Sequence, residues 1–315
     1  MRLALLSLVT IASCGRGGFD ALVDARAEQT DSPLAFTQES FASSPPMEVY
    51  DLLQLTPTSS IAVADQGLWR SPGDGTWTLD PFTPITLYGT IPLGNGEAYV
   101  VGNVDGANQP ICARVTPTTA ANEDTALDRA LNDGWASSPT DIYIAGYNAY
   151  ISHSTGDGTW TTQTSLQTDR FLSMWGSGPT DIYAVGDTGS IFHSTGNGVW
   201  TQQMSGSTEQ LIEVTGDGPT NIYAVGYNGT ILHSTGDGTW TTEDSGVTDR
   251  LLGVGAIDGV YYAVGRGPYV LRSNGDGVWT QYPIDVPLFQ LDAVVADTRG
   301  GMWLSGEPGV ILHSP

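Results

Sequence analysis

A repeat of about 40 residues constrains the fold of this chain more than any other feature. The decapeptide Ser-Gly-Pro-Thr-Asp-Ile-Tyr-Ala-Val-Gly at 177–186 returns at 217–226 with two substitutions. Shorter versions of the same strand signature give a series of anchors: Asp65, Gly102, Gly146, Gly186, Gly226, Gly265 and Gly306. Successive anchors lie 37 to 44 residues apart, so seven units account for nearly all of the chain beyond its N-terminal segment.

Each unit divides into four strand-like pieces separated by turn signals. In the fourth unit the pieces are 171–175, 181–186, 190–194 and 199–203. The Gly-, Asn- and Asp-rich turns between them are of the kind that joins antiparallel strands. Four antiparallel strands per unit, repeated radially, predict an all-β fold: a seven-bladed β-propeller.

The two ends of the sequence point to a closed ring. The seventh unit stops after its third strand, at 310–315. Near the other end, 35–39 (Ala-Phe-Thr-Gln-Glu) matches 199–203 (Val-Trp-Thr-Gln-Gln), with Phe36 in place of Trp200. We therefore predict a propeller domain over 34–315, in which 34–40 forms the closing strand of blade 7.

A second motif, Gly-Asp-Gly-Thr-Trp or a close variant, forms a hairpin in five units. These hairpins end at Trp77, Trp160, Trp200, Trp240 and Trp279. They resemble the Asp-box of BNR, or sialidase-type, propeller repeats, with a Ser-to-Trp spacing one residue shorter than the standard. The resemblance implies the propeller fold. It implies little about activity, because similar repeats occur in glycosidases, in photosystem assembly-factor-like propellers and in exported bacterial proteins.

Composition excludes several classes of function. The 315 residues include 11 basic ones, all arginine, against 34 acidic ones, a formal charge of -23. Nucleic-acid affinity comes largely from cationic side chains that displace counterions, so a nucleic-acid partner is not expected. A chain with no lysine has neither a Schiff-base amine nor a P-loop ammonium group. The negative charge favours a partner that is basic, neutral or bridged by cations.

The first residues have the layout of an export signal. Residues 1–13 contain an early arginine and a short apolar core, too short to span a bilayer permanently. The tetrad at 11–14, Ile-Ala-Ser-Cys, resembles the lipobox of bacterial lipoproteins, which implies lipidation of Cys14; an ordinary cleaved signal is the alternative. Gly15 after this cysteine then implies anchoring to the outer membrane, through the lipid alone. Residues 14–33 are predicted to be a flexible tether.

Cysteine and histidine often carry chemistry, but both have structural explanations here. Cys112, the other cysteine, lies in an apolar stretch and is expected to be a buried hydrophobe. The four histidines share one third-strand position with Arg70 and Arg272, and neighbours on such a ring are about 14 Å apart, too far to share a zinc ion. We expect each to make a repeated hydrogen bond to a neighbouring strand or blade. These histidines are His153, His193, His233 and His313.

The aspartate of each hairpin, as in Asp74, Asp157, Asp237 and Asp276, could be taken for a calcium ligand. Its neighbours are Gly, Thr and Trp, whereas calcium takes six or more oxygen ligands. We expect an Asx-type turn at each hairpin, with the Trp packed between blades. No metal and no cofactor are predicted.

The loops that enter the innermost strands are less regular, and they should meet at one mouth of the central channel. They carry the candidate ligand-binding residues Arg129, Arg170, Gln210, Arg250 and Gln290. Several arginines there could grip an anionic ligand. In the alternative interpretation, each arginine forms an ion pair with an acidic residue of the adjacent blade.

Two functions are left open by the sequence. The first is a non-enzymatic binding or scaffold module, monomeric and displayed on the outer membrane, that recognises a protein or glycan of the cell envelope. The near identity of blades 4 and 5 and the lack of a catalytic motif favour it. The second is a glycan-active enzyme of sialidase or lyase type, which the Asp-box likeness alone suggests. No sialidase active-site motif matches position by position.

Overall fold

Seven sheets follow one another along the chain in the computed structural model, which describes residues 36–82, 85–104, 109–123, 127, 129–164, 170–284, 290–297 and 301–314. In each sheet the chain runs outward from the axis through antiparallel neighbours. The prediction of a seven-bladed, all-β propeller is confirmed. The predicted signal peptide, Cys14 and the predicted tether lie outside the described residues.

The strands are numbered in chain order. Two short strands come first, β1 (Thr37–Gln38) and β2 (Ser40–Phe41). Blades 1 to 3 comprise β3 (Val49–Thr56), β4 (Ser59–Ala64), β5 (Gly67–Ser71), β6 (Thr76–Leu79), β7 (Ile85–Pro92), β8 (Ala98–Val104), β9 (Pro110–Val115), β10 (Ala120–Asn122), β11 (Leu131–Ser138), β12 (Asp141–Gly146), β13 (Tyr150–Ser154) and β14 (Trp160–Thr164). Blades 4 and 5 comprise β15 (Phe171–Gly178), β16 (Asp181–Gly186), β17 (Ile191–Ser194), β18 (Thr201–Gln203), β19 (Leu211–Gly218), β20 (Asn221–Gly226), β21 (Ile231–Ser234) and β22 (Thr241–Glu243). Blades 6 and 7 comprise β23 (Leu251–Ile257), β24 (Val260–Gly265), β25 (Tyr269–Ser273), β26 (Thr280–Pro283), β27 (Gln290–Ala296), β28 (Met302–Glu307) and β29 (Val310–Ser314).

The second strand of each blade is the most buried, because it is covered by neighbouring blades on both faces. In β16 and β20 every residue after the first is buried. Such strands show a continuous apolar run in place of alternation. The glycine that ends them is needed for close approach: a Cβ on Gly186 would overlap the carbonyl oxygen of Arg170.

The predicted first anchor of the repeat, Asp65, lies one residue after the position that is equivalent to the other anchors. Val49 pairs with Ala64, as Phe171 pairs with Gly186 in blade 4. The anchor of blade 1 is therefore Ala64, and Asp65 follows it. Alanine, the smallest residue with a Cβ, thus takes the position that glycine has in the other blades.

The N-terminal strand closes the ring as predicted, and it pairs like the fourth strand of blade 4. Thr37 pairs with His313 of β29, as Thr201 pairs with His193 in blade 4. The closing strand itself is limited to Thr37–Gln38, shorter than the predicted 34–40. Residues 34 and 35 lie outside the described part of the chain.

Blade 1 departs from the predicted four antiparallel strands. After closing blade 7, the chain continues as β2, which pairs in parallel with β6 and makes a five-stranded sheet. The outer edge of β6 offers unpaired backbone groups, and β2 satisfies them. The prediction of four strands is wrong for this blade, since the same segment serves two blades in succession.

Four of the five hairpin tryptophans link their blade to the one before it. The indole N–H of Trp200 donates to Gln163, 2.9 Å away, and that of Trp240 donates to Gln203, 2.8 Å away. Two further pairs repeat the geometry with a glutamate acceptor: Trp279 with Glu243 and Trp77 with Glu39. The predicted packing of tryptophan between blades is confirmed, and the closing segment provides Glu39, the acceptor for blade 1.

Candidate functional site

A cavity of about 430 Å³ lies on the axis, and all seven blades line it. Its walls come mainly from the innermost strands, β3, β7, β11, β15, β19, β23 and β27. Described residues at or just before the start of these strands, or just after the second strands, form its rim: Glu48, Tyr147, Arg170, Arg250 and Gln290. We call this rim the channel mouth.

A β-bulge in every inner strand decides which side chains line the cavity. In blade 1 the register shifts between Val49 and Asp51, so both Tyr50 and Asp51 oppose Val63 and line the cavity. A bulge places two residues against one partner and redirects a side chain. The equivalent bulged residues form an upper ring: Tyr50, Tyr88, Asn132, Leu172, Ile212, Leu252 and Asp292. The residues after them form a lower ring: Asp51, Gly89, Asp133, Ser173, Glu213, Gly253 and Ala293.

Part of the lower ring has a structural task, because it joins one inner strand to the next. Asp51 accepts hydrogen bonds from the backbone N–H and the hydroxyl of Thr90, at 3.0 and 2.6 Å. Asp133 accepts from the Met174 N–H at 2.9 Å. Ser173 accepts from the next inner strand in the same way, at 3.3 Å. For Glu213 no such bond is found among the described residues.

Five carboxyl groups and two arginines line the cavity, and burial raises the pKa values of these carboxyl groups above their usual range. Burial raises the pKa of Asp51 to about 6, although hydrogen bonds from Thr90 oppose the shift. Burial raises the pKa of Asp292 to about 8, helped by the charges of Glu48 and Glu307. The pKa values of Asp133 and Glu213 are raised in the same direction, first by burial and then by other channel carboxylates. Burial also raises the pKa of Glu48.

At the channel mouth, Arg170 lies in a polar network between blades 3 and 4. Its guanidinium donates to the Tyr147 hydroxyl at 3.2 Å and to Asp187 at 3.3 Å. Asp187 also accepts a hydrogen bond from Gln210. Arg170 thus pairs with an acidic residue of its own blade, where the alternative sequence interpretation expected one from the adjacent blade.

Arg250 repeats the stacking on tyrosine two blades further on, and no carboxylate pairs with it among the described residues. It is exposed, and its guanidinium carbon lies 4.2 Å from the centre of the Tyr227 ring. The corresponding distance from Arg170 to the Tyr147 ring is 5.2 Å. Two tyrosines of equivalent loops therefore each support one arginine at the rim.

The remaining predicted site residues have different surroundings. Gln290 bridges two carboxylates, with its amide nitrogen 2.7 Å from Glu48 and 3.0 Å from Asp292. Arg170, Arg250 and Gln290 all line the cavity, whereas Arg129 and Gln210 do not. The acidic and aromatic residues that precede some of these positions, at 128, 169 and 289, lie outside the described residues.

The other chemistry-bearing residues have structural partners. Each histidine Nε2 lies 2.7 or 2.8 Å from a side-chain oxygen of Asp or Asn, within its own blade. Each hairpin Asp or Asn accepts a backbone N–H two residues on, as in the 2.8 Å bond from Thr239 to Asp237. Both expectations are confirmed. Cys112 is buried, and burial raises the pKa of its thiol.

Sequence reasoning missed the carboxylates of the cavity. Strict alternation along an inner strand assigns neighbouring residues such as Tyr50 and Asp51 to opposite faces, and the bulge overrides it. The available signal was an acidic residue one or two positions after the first apolar residue of an inner strand. Glu213 and Asp292 both show it.

Within the described residues, no group of three or more His, Cys, Asp or Glu side chains is arranged to hold a metal ion. The same part of the chain has no helix with the length and hydropathy to cross a membrane.

Comparison with known proteins finds the fold and no family. No family model matches the chain, and no curated protein matches it. Among solved structures, it is similar to a streptogramin B lyase, with TM-score 0.78 and 13% identity over 89% of this chain and 96% of that one. It is also similar to YCF48 from Cyanidioschyzon merolae, with TM-score 0.70 and 16% identity over 89% of this chain and 98% of that one. YCF48 bound to D1 peptide matches equally well, with TM-score 0.70 and 16% identity over 90% and 95% of the two chains. At these identities the likeness establishes a seven-bladed propeller.

Proposed function

We propose that this chain is a non-enzymatic binding module, displayed on the outer membrane through lipidated Cys14, whose protein partner docks at the channel mouth. One observation carries the proposal. Arg170, Arg250 and Gln290, from three different blades, meet at a single opening to which all seven blades contribute. A concave site with a few converging polar groups is the usual form of a binding site.

The arginines at the mouth are suited to backbone carbonyl and carboxylate groups. Stacking on Tyr227 fixes the plane of the Arg250 guanidinium while its N–H edges stay available. Arg170 is held by Tyr147 and Asp187 in a comparable position. Charge-assisted pairs of this kind are stronger than neutral hydrogen bonds, and they fix orientation as well.

The walls of the cavity favour a protein segment over a glycan. Leu172, Ile212 and Leu252 form an aliphatic side, whereas Tyr50 and Tyr88 lie on another side among carboxylates. Peptide side chains match such mixed surfaces, because they include apolar, aromatic and charged groups. A propeller of the same fold, YCF48, is bound to a peptide.

An enzyme is the alternative, since lyases are among the structural neighbours. The solved lyases include a catalytically inactive variant in which a histidine is replaced by alanine, with quinupristin. Here no histidine lines the described cavity, and all four histidines lie on third strands. This placement supports a binding role.

Selection from a library of random linear peptides displayed on phage tests the proposal. The enriched peptides should bind wild-type protein and lose at least about tenfold in affinity to an Arg170→Gln, Arg250→Gln double variant, since each lost charged pair contributes more than a neutral one. Arg114→Gln is the matched control, because Arg114 pairs with Glu97 away from the mouth. Equal binding to the double variant, or turnover of a fluorogenic sugar panel, would contradict the proposal.

The proposed anchor is tested separately. A Cys14→Ser variant should move from the membrane fraction to the soluble fraction of the producing cell, because lipidation requires the cysteine thiol. If the variant fractionates with the outer membrane as wild type does, the protein is not held there by a lipid on Cys14.

A further inference from the structure

We infer that the cavity beneath the mouth binds an organic cation, the ammonium or guanidinium group of a Lys or Arg side chain of the docked partner. The inference rests on the proposed function and specifies the chemistry of the partner residue that enters the channel. The rim arginines alone suggested an anionic ligand, whereas five carboxyl groups line the cavity below them.

A contiguous acid–aromatic wall forms one side of the cavity. It consists of Glu48, Tyr50, Tyr88 and Asp292. The Gln290 amide bridges Glu48 and Asp292, Tyr50 hydrogen-bonds to Glu48, and the Tyr50 and Tyr88 ring centres are 5.2 Å apart. Carboxylates next to aromatic faces attract organic cations through charge and through the ring quadrupole together.

Two carboxyl groups in the cavity have few hydrogen-bond donors among the described residues. Oδ2 of Asp292 is buried and has no hydrogen-bond partner among the described residues. For the Glu213 carboxyl group, also without such a bond, burial is the first cause of a raised pKa. Buried polar atoms are nearly always paired, and an unpaired one commonly marks a missing ligand or ion. Asp51 and Asp133 differ, since each has a partner on the next blade.

The opposite side of the cavity fits the stem of such a side chain. Leu172, Ile212 and Leu252 form the aliphatic part of the upper ring. Lys and Arg bury their methylene stems against apolar surface while the charged head contacts polar groups. The cavity of about 430 Å³ lies within the range of small-ligand sites.

Binding should be linked to proton release. The ionisable groups facing the cavity are Glu48, Tyr50, Asp51, Tyr88, Asp133, Tyr147, Arg170, Glu213, Arg250 and Asp292. A cation beside Asp292 favours its ionised form and so lowers its pKa from about 8. Below that pH the cation must displace a proton. Affinity therefore rises with pH across the interval from about 6, the pKa of Asp51, to about 8.

Calorimetric titration of the purified full chain with n-butylguanidinium chloride tests the inference. We expect saturable binding that strengthens about tenfold or more between pH 6 and pH 8 through proton release. Two buffers of different ionisation enthalpy should reveal the released proton. The neutral isostere n-butylurea should bind at least about tenfold more weakly, because it has no charge to pair. Equal binding of both compounds, or no binding of the cation, overturns the inference.

Isosteric variants locate the site. Asp292→Asn and Glu213→Gln should each weaken n-butylguanidinium binding severalfold or more, and Asp292→Asn should reduce the pH dependence. Asp237→Asn is the matched control, since Asn197 occupies the same hairpin position in blade 4. If both cavity variants bind as wild type does, the cation does not bind in the cavity. The pH dependence of cation binding is measured on the wild-type protein, so it tests the inference even if a variant fails to fold.

The peptides selected for mouth binding separate this inference from the proposed function. Replacing their basic residue by citrulline should abolish the pH dependence and weaken binding. If the peptides bind through Arg170 and Arg250 whether or not the basic residue is present, the proposed function survives and the cation inference fails. If n-butylguanidinium binds but no peptide depends on the arginines, the inference survives and the proposed function fails.

Discussion

Glu39 offers the sharpest test of how the ring is closed. It follows the closing strand β1, and its carboxylate accepts the indole N–H of Trp77 in blade 1. Trp77 is fully buried, at 0% exposure, so water cannot replace a lost acceptor. An acceptor at this position therefore ties the last sheet of the chain to the first.

The cost of removing the acceptor follows from this geometry. A buried donor left without a partner costs about 1–3 kcal/mol, so we expect Glu39→Ala to reduce the free energy of unfolding by that amount. At roughly 2–4 °C per kcal/mol for a large domain, the melting temperature should fall by about 2–12 °C. Glu39→Gln should stay within about 0.5 kcal/mol of wild type, because Gln163 and Gln203 accept the same bond in other blades.

Urea unfolding followed by tryptophan fluorescence, together with thermal melts, measures both variants. Gln203→Ala is the matched control, since it removes the equivalent acceptor for Trp240 within the ring. It should cost about the same 1–3 kcal/mol. The reasoning is refuted if Glu39→Ala is as stable as wild type, or if Glu39→Gln is destabilised as much as Glu39→Ala.

Two further predictions concern the second strands and the innermost strands. Gly226→Ala should destabilise the protein by about 1–3 kcal/mol in a thermal or urea melt, because the added Cβ would overlap the carbonyl oxygen of Gln210. Gly218→Ala, which meets no atom within 4 Å, should be close to neutral, and equal effects would contradict the steric explanation. Asp51 and Asp292 hold their protons more tightly in the folded state, since their pKa values are raised to about 6 and about 8. Their contribution to stability is therefore greatest at pH values below the ordinary carboxyl pKa. That stabilisation is lost as pH rises through 6 to 8, so the melting temperature should be higher at pH 5.5 than at pH 8.5. Asp292→Asn should narrow the difference, and a protein more stable at pH 8.5 would contradict the assignment.

The fold could be predicted because each repeat carries its own local instructions. The buried second strand appears as an apolar run that ends in glycine, and the Asx hairpin appears as Asp or Asn between glycines. The match between 35–39 and 199–203 also predicted that the N-terminal strand closes blade 7, where Thr37 pairs with His313. Local signals could not predict β2. Its parallel pairing with β6 joins segments about 35 residues apart, and it depends on the path that the chain takes after the closing strand β1.

The candidate site could be predicted only at its rim. Arg170, Arg250 and Gln290 stand out because they interrupt the repeat in loops, where sequence variation is easily seen. The cavity carboxylates lie within strands, and a bulge determines that they point inward. Asp292 shows the consequence. Strict alternation would place Asp292 and Ala293 on opposite faces of β27, whereas the register shift lets both line the cavity.

A crystal structure of the protein with one of the selected peptides tests the central claim most directly. The account predicts a peptide at the channel mouth in contact with Arg170 and Arg250, with a basic side chain in the cavity against Asp292. A peptide bound at the hairpin face or at the outer strands, with the cavity unoccupied by any basic side chain, would contradict it.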